Sequence, residues 1–190
     1  TCLALRATAA RGQAPQAPGQ AGAQPPQHKF DAEVPRRPTY RQLFRAQYGS
    51  SFIPLVLYLS KRLGREKTVE LLKAYADQRA PEQAQTVAKQ LGGSDFATLK
   101  RMFSPTFPAY SNLLTFEISE DTDKVHELKV TECLWAKTFR DAGAGEEGYA
   151  AVCYGDFAFA KAFNPRIEMT RDQTLMQGHA CCNHRYVLKP

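Results

Sequence analysis

The sequence predicts an α+β fold: a helical N-terminal half, then an antiparallel sheet of two hairpins flanking a helix pair. Three observations carry this. Apolar residues recur at helical spacing from Tyr40 to Phe103. The period changes to two at Leu114-Thr-Phe-Glu-Ile118 and again at Val125-His-Glu-Leu-Lys-Val130. After two more helical stretches, alternation returns at Ile167-Glu-Met-Thr170 and over Ala180 to Val187.

The elements follow in order. Residues 1–27 are rich in Ala, Gln, Pro, Gly and Arg and hold too little apolar surface to offset ordering entropy. Thr1-Cys-Leu-Ala-Leu5 followed by Ala7-Thr-Ala-Ala10 resembles the end of an apolar signal and a small-residue cleavage zone, as in a twin-arginine export signal. This segment is read as a signal-peptide remnant and disordered linker, so an exported, periplasmic protein is expected; a cytoplasmic protein with a disordered tail is the alternative. Residues 28–190 are expected to form a single domain, with a helical half over 38–103 and a sheet-helix half over 112–189.

Pro38 suits a first helical turn, and Gly49-Ser-Ser is a weak point in the helical pattern. Leu55, Val56, Tyr58, Leu59 and Leu63 predict a helix stopping at Gly64. Another begins near Glu66, with Val69, Leu72 and Tyr75 on one face, and Ala80-Pro81 predicts a restart that runs to Leu91 and Gly92-Gly93. Ser94 or Asp95 can cap a short helix reaching Phe103. Glu120-Asp-Thr-Asp123 turns the first hairpin. A helix from Cys133 to Phe139 ends at Gly143-Ala-Gly145, and a second runs from Tyr149 to Phe163, stopped by Asn164-Pro165. Asp172 lies in or near the turn of the second hairpin, with Gly178 at a bulge or bend.

Composition narrows the function classes. The net charge is +6, but the basic residues are scattered and not interleaved with aromatics, which argues against nucleic-acid binding. Such basicity is first that of a generally basic soluble protein, and it can also help attract an anionic small molecule. No apolar run is long enough for a membrane span; Phe52 to Leu59 is short and contains Pro54.

Cysteine usage points to one region. Nothing lies between Cys2 and Cys133, and Cys133, Cys153, Cys181 and Cys182 then share the last third with Asp156, His179, His184 and Arg185. On a continuous helix Cys153 and Asp156, at i and i+3, share a face, so thiol and carboxylate can meet. An Asp beside a thiol can move its proton in covalent catalysis. Equally, Asp156 can cap a helix after Gly155, and Cys153 can be ordinary core. Strand alternation puts Cys182 and His184 on one face, with Cys181, Asn183 and Arg185 on the other. Cys133 stands at a helix start, where backbone amides favour a thiolate. Three outcomes compete: a nucleophilic thiol; a zinc site of Cys133, Cys153, Cys182 and His184, which lacks the close Cys-x-x-Cys pairing of a strong metal motif; and a disulfide among Cys133, Cys153 and Cys182, suited to an exported protein.

Five motifs then resemble the L-2-amino-thiazoline-4-carboxylic acid hydrolase family: Glu132-Cys-Leu-Trp-Ala, Cys153-Tyr-Gly-Asp-Phe157, Phe163-Asn-Pro, Met169-Thr-Arg-Asp-Gln-Thr-Leu-Met-Gln-Gly178 and Cys182-Asn-His-Arg-Tyr186. The resemblance spans roughly Arg41 to Lys189. It implies a ring-opening hydrolysis of a cyclic amidine-type molecule, L-2-amino-thiazoline-4-carboxylate or one like it, at a C–N or C–S bond. It implies Cys182 or Cys153 as nucleophile with Cys133 nearby, Asp156 as general acid or base, and His184 as proton shuttle or donor. Arg185 or Arg171 would pair with the substrate carboxylate in a fork. No cofactor is expected on this reading, zinc being the alternative. The expected partner is a carboxylate-bearing small molecule. An accessory subunit of a larger enzyme, docking through its helical half onto a protein partner, is the rival from another class.

Overall fold

In the computed structural model, residues 38–104 and 107–190 are described. The signal-like segment 1–27 and Cys2 therefore lie outside the described residues. Residues 38–190 make one unit of helices α1 (Tyr40–Phe44), α2 (Ile53–Leu63), α3 (Arg65–Leu91), α4 (Phe96–Arg101) and α5 (Pro108–Ser111), strands β1 (Leu114–Asp121) and β2 (Val125–Cys133), helices α6 (Leu134–Asp141), α7 (Gly145–Gly148) and α8 (Asp156–Phe163), and strands β3 (Ile167–Thr170) and β4 (Cys182–Leu188). This is an α+β fold, with a helical first half and a four-stranded antiparallel sheet of order β1-β2-β4-β3. Among the described residues, no helix is long and apolar enough to cross a membrane.

The local chemistry explains most boundaries. Thr39 and Gln42 form a reciprocal capping box at α1. Asp95, not Ser94, caps α4 by accepting the Thr98 N–H at 2.7 Å. Gly92 ends α3 in the left-handed conformation (φ 78°) that glycine tolerates.

Three expectations are corrected. The helix does not restart at Ala80-Pro81: α3 runs unbroken from Arg65 to Leu91 with Pro81 inside it. An interior proline costs about 3 kcal/mol, but Thr68, Ala80 and Ala84 are buried and α3 packs along α8, so tertiary burial outweighs the local penalty. Gly49-Ser-Ser does not break the chain either. It lies in a π-helical stretch, Arg45–Phe52, that joins α1 to α2. Nor is Tyr149 to Phe163 one helix: a π turn over Tyr149–Cys153 gives way at Tyr154-Gly155 before α8 begins at Asp156. Cys153 and Asp156 therefore do not share a face of one continuous helix.

Two apolar clusters hold the fold. In the first, Phe96, Leu99, Met102 and Phe103 meet Leu128 of β2, Tyr186 of β4, Ile167 and Met169 of β3 and Phe163 of α8. The second joins Ile53, Ala136, Phe139, Ala144 and Met176, with Cys133, Tyr149, Cys153 and Leu175 packed against it. Cys133 and Cys153 thus line its edge.

Candidate active site

The sheet register decides which β4 side chains face inward. Cys182 pairs with Val130, His184 with Leu128 and Tyr186 with His126. Those three β2 residues are buried, so Cys182, His184 and Tyr186 share the helix-covered face. Arg185 points the other way, where Glu120 accepts from its Nη1 at 2.6 Å and Glu127 accepts from the same nitrogen. Arg185 is therefore on the opposite face of the sheet from Cys182 and His184, already paired with two carboxylates.

Arg171, just beyond β3, turns inward instead. Its side chain is only 1% exposed. Nη1 donates to Asp156 Oδ2 at 2.5 Å and meets His184 Nε2 at 3.1 Å, while Nη2 donates to the Cys153 carbonyl at 2.7 Å. The guanidinium also lies over two rings, 5.1 Å from the Phe157 centroid and 5.9 Å from that of Tyr149. One side chain thus ties the π turn, the start of α8 and β4 together. Because an arginine cannot accept, His184 Nε2 is the acceptor of that bond, and the proton of the neutral ring sits on Nδ1.

The local backbone places the acid and the thiols. Cys153 closes the π turn, whose widened ladder is sealed by the Tyr154 N–H donating to the Tyr149 carbonyl at 2.8 Å; such turns are frequent at functional sites. A side chain on Gly155 would stand 3.3 Å from Ala76 Cβ of α3, so this close approach fixes where α8 begins and Asp156 points. Cys133 caps α6, its Sγ accepting the Ala136 N–H at 3.5 Å. Cys182 Sγ accepts the Leu175 N–H at 3.2 Å. Cys133, Cys153, Cys181 and Cys182 are free thiols.

Burial keeps Cys133, Cys153 and Cys182 protonated. Burial pushes Cys133 up to about 11, against the pull of the Ala136 amide. The thiolate expected of Cys133 at a helix start is therefore not favoured: desolvation outweighs the cap. Burial also lifts Cys153 well above the ordinary thiol range, with nearby Asp156 adding to the rise and Arg171 opposing it. Cys182 is raised by burial too, against the Leu175 amide and Arg171. Burial raises Asp156 above the usual carboxylate value, again opposed by Arg171. Burial, then Arg171, pull His184 down to about 3, so its ring is neutral near pH 7.

The mutual influence of Cys133, Cys153, Cys182, Asp156 and Arg171 marks them as neighbours. Among the described residues, no group of three or more His, Cys, Asp or Glu is placed to hold a metal ion. His184 Nε2, a needed ligand in the Cys133, Cys153, Cys182 and His184 alternative, is occupied by Arg171. His179 lies apart, its Nδ1 engaged with the Thr174 backbone.

One cavity reaches the cluster at Cys133, and a second reaches only Tyr149, which flanks Arg171. One, of about 950 Å³, has Cys133 and Leu175 in its wall. The other, of about 690 Å³, reaches Tyr149 and is bordered by Arg65, Lys73 and Arg140. The sequence reading missed Tyr149 and Phe157, which flank Arg171, and the cationic pair Lys73 and Arg140. No local pattern marks either: the first pair is set by the π turn and α8 meeting Arg171, the second by α3 and α6 bordering one cavity.

The fold is similar to the phenol-responsive sensory domain of the transcription activator PoxR in its phenol complex, at 13% identity, 73% of each chain and a TM-score of 0.50. A trafficking protein particle complex subunit 3 from Naegleria fowleri, covalently bound to palmitic acid, gives 11% identity over 79% of this chain and 95% of that one, with a TM-score of 0.47. No curated protein matches the chain. The sequence matches the family model for L-2-amino-thiazoline-4-carboxylic acid hydrolase over residues 44–186, which contain Cys133, Cys153, Asp156, Arg171, Cys182 and His184. The chain belongs to the L-2-amino-thiazoline-4-carboxylic acid hydrolase family.

Proposed function

We propose that this chain is a hydrolase that opens a C–N or C–S bond of a cyclic amidine-type small molecule, of the L-2-amino-thiazoline-4-carboxylate class, through a cysteine nucleophile. The observation that carries this reading is the convergence of Cys153 and Cys182 with Asp156 around the buried Arg171. A thiol held protonated by burial attacks only once a base removes its proton. Asp156 is suited to be that base. Its affinity for a proton is raised by burial, and its charge is felt by Cys133, Cys153 and Cys182.

In this scheme Cys153 or Cys182 gives its proton to Asp156, and the thiolate adds to the amidine carbon. The ring C–N or C–S bond breaks, and the leaving atom takes the proton back from Asp156. Water then displaces the thiol and releases a carbamoyl-cysteine. Arg171 positions Asp156, and His184, neutral, accepts from Arg171 rather than carrying charge. Cys133 contributes to the wall beside them.

The test is turnover of L-2-amino-thiazoline-4-carboxylate by the purified chain, with the ring-opened product identified by mass. Cys153→Ser or Cys182→Ser should abolish it while the melting curve stays cooperative. Unchanged turnover in both variants would remove the thiol mechanism.

A further inference from the structure

Arg171 and Arg185, the candidates for the substrate carboxylate, both carry carboxylates of the protein itself. Another pair of cations stands ready. In the cavity of about 690 Å³, Arg65 is engaged by Glu147 at 3.0 Å and lies 3.9 Å from Glu146. Lys73 and Arg140 are different: among the described residues neither is paired with a carboxylate. Lys73 lies over the Tyr154 ring, 5.2 Å from its centroid. Arg140 donates one Nη1 bond to the Leu175 carbonyl at 3.1 Å, which steadies the guanidinium against the turn and leaves its other N–H donors for a ligand.

We infer that this cavity is the docking site of a small-molecule carboxylate, held by Lys73 and Arg140. Its volume lies in the range of small-ligand sites. Tyr149 forms part of its wall and stacks on Arg171, so a ligand anchored there sits one ring away from the Arg171–Asp156 pair. The Leu175 residue that steadies Arg140 through its carbonyl also holds Cys182 Sγ through its N–H. The identity of the ligand as a thiazoline carboxylate rests on the hydrolase reading above.

Calorimetric titration of the whole chain tests the site without requiring turnover. The probes are L-2-amino-thiazoline-4-carboxylate and its decarboxylated counterpart, 2-amino-thiazoline. The carboxylate should bind at least about tenfold more tightly than the decarboxylated probe, and its affinity should fall as salt rises. Lys73→Gln and Arg140→Gln should each weaken it about tenfold while leaving the decarboxylated probe unaffected. Because Arg140→Gln also removes the Leu175 contact, Arg140→Lys, which keeps the charge, should recover part of the loss. Equal affinity for the two probes, no binding of either, or wild-type affinity in both glutamine variants would overturn the site. Binding that depends on Lys73 and Arg140 without ring opening upholds the site and removes the hydrolase reading. Ring opening with an unchanged KM in both variants does the reverse.

Discussion

Replacing Arg171 by Met tests the organising role of its guanidinium. The change leaves Asp156 Oδ2, the Cys153 carbonyl and His184 Nε2 without the donor that now serves all three. Removing one partner of a buried ion pair costs about 3–5 kcal/mol. The stranded carboxylate is 37% exposed and can take up water, so the lower end, about 3 kcal/mol, is expected. For a domain of this size that is a fall of roughly 6–12 °C in melting temperature. The loss should also depend on pH. Burial raises Asp156 and Arg171 opposes the rise, so the variant holds its Asp156 proton to a higher pH than wild type does. A folded-state carboxyl raised above its unfolded value binds more protons than the unfolded chain in that window, and stability falls there as pH rises. The deficit of Arg171→Met should therefore shrink on going from pH 7 towards pH 4. Asp156→Asn leaves the 1% exposed guanidinium without its counter-charge but keeps an amide oxygen that accepts from it, so a comparable cost is expected. Urea unfolding of the two single variants and the double variant, at both pH values, measures the coupling. A deficit under about 1 kcal/mol at pH 7, or one that is the same at pH 4, would be incompatible with a buried guanidinium that holds the half-buried carboxylate in place.

Three further outcomes follow from the same structure. His184 is pulled down to about 3, so between that value and its unfolded value near 6.5 the unfolded chain binds the extra proton; stability should be lost as pH falls through this window, by up to about 1.4 kcal/mol per pH unit. His184→Gln should flatten that slope, and an NMR titration showing His184 protonating near pH 6.5 would contradict it. A Cβ on Gly148 would come within 2.7 Å of Met176 Sδ and the Phe139 ring, both in the second core, so Gly148→Ala should destabilise by about 1–3 kcal/mol in thermal melts; a wild-type melting temperature would show that the ring and thioether give way freely. Cys133, raised from 9.0 to about 11, should alkylate at pH 8 roughly 100-fold more slowly than an ordinary thiol, read by peptide mass after timed iodoacetamide treatment; reaction at the free-thiol rate would place it outside the buried cluster.

Much of the fold was legible because β-alternation is a strong local signal. Both hairpins follow from it, and so does the shared face of Cys182 and His184, since the buried Leu128 and Val130 stand opposite them. The same alternation already turned Arg185 outward; assigning it to the substrate weighed residue type over position. Other features leave no local trace. A five-residue π turn has too little length to shift the hydrophobic period, so Gly155 before Asp156 is the one local sign of the break between Cys153 and Asp156. Pro81 reads as a boundary because local propensity opposes it, and only the packing of Ala80 and Ala84 reverses that. Arg171 follows a four-residue strand, and its fold back against Tyr149 and Phe157 depends on α8 lying where Gly155 and Ala76 allow. The thiol protonation states are likewise a product of burial, which spacing does not report.

Whether Asp156 serves as the base for the buried thiols is decided by turnover of L-2-amino-thiazoline-4-carboxylate in Asp156→Asn. The asparagine keeps the side-chain shape and an acceptor for Arg171 while removing the proton acceptor from the thiol cluster. The predicted result is a fall in kcat of about 10²-fold or more with the fold intact. Turnover close to wild type, in a variant that unfolds cooperatively, would contradict it.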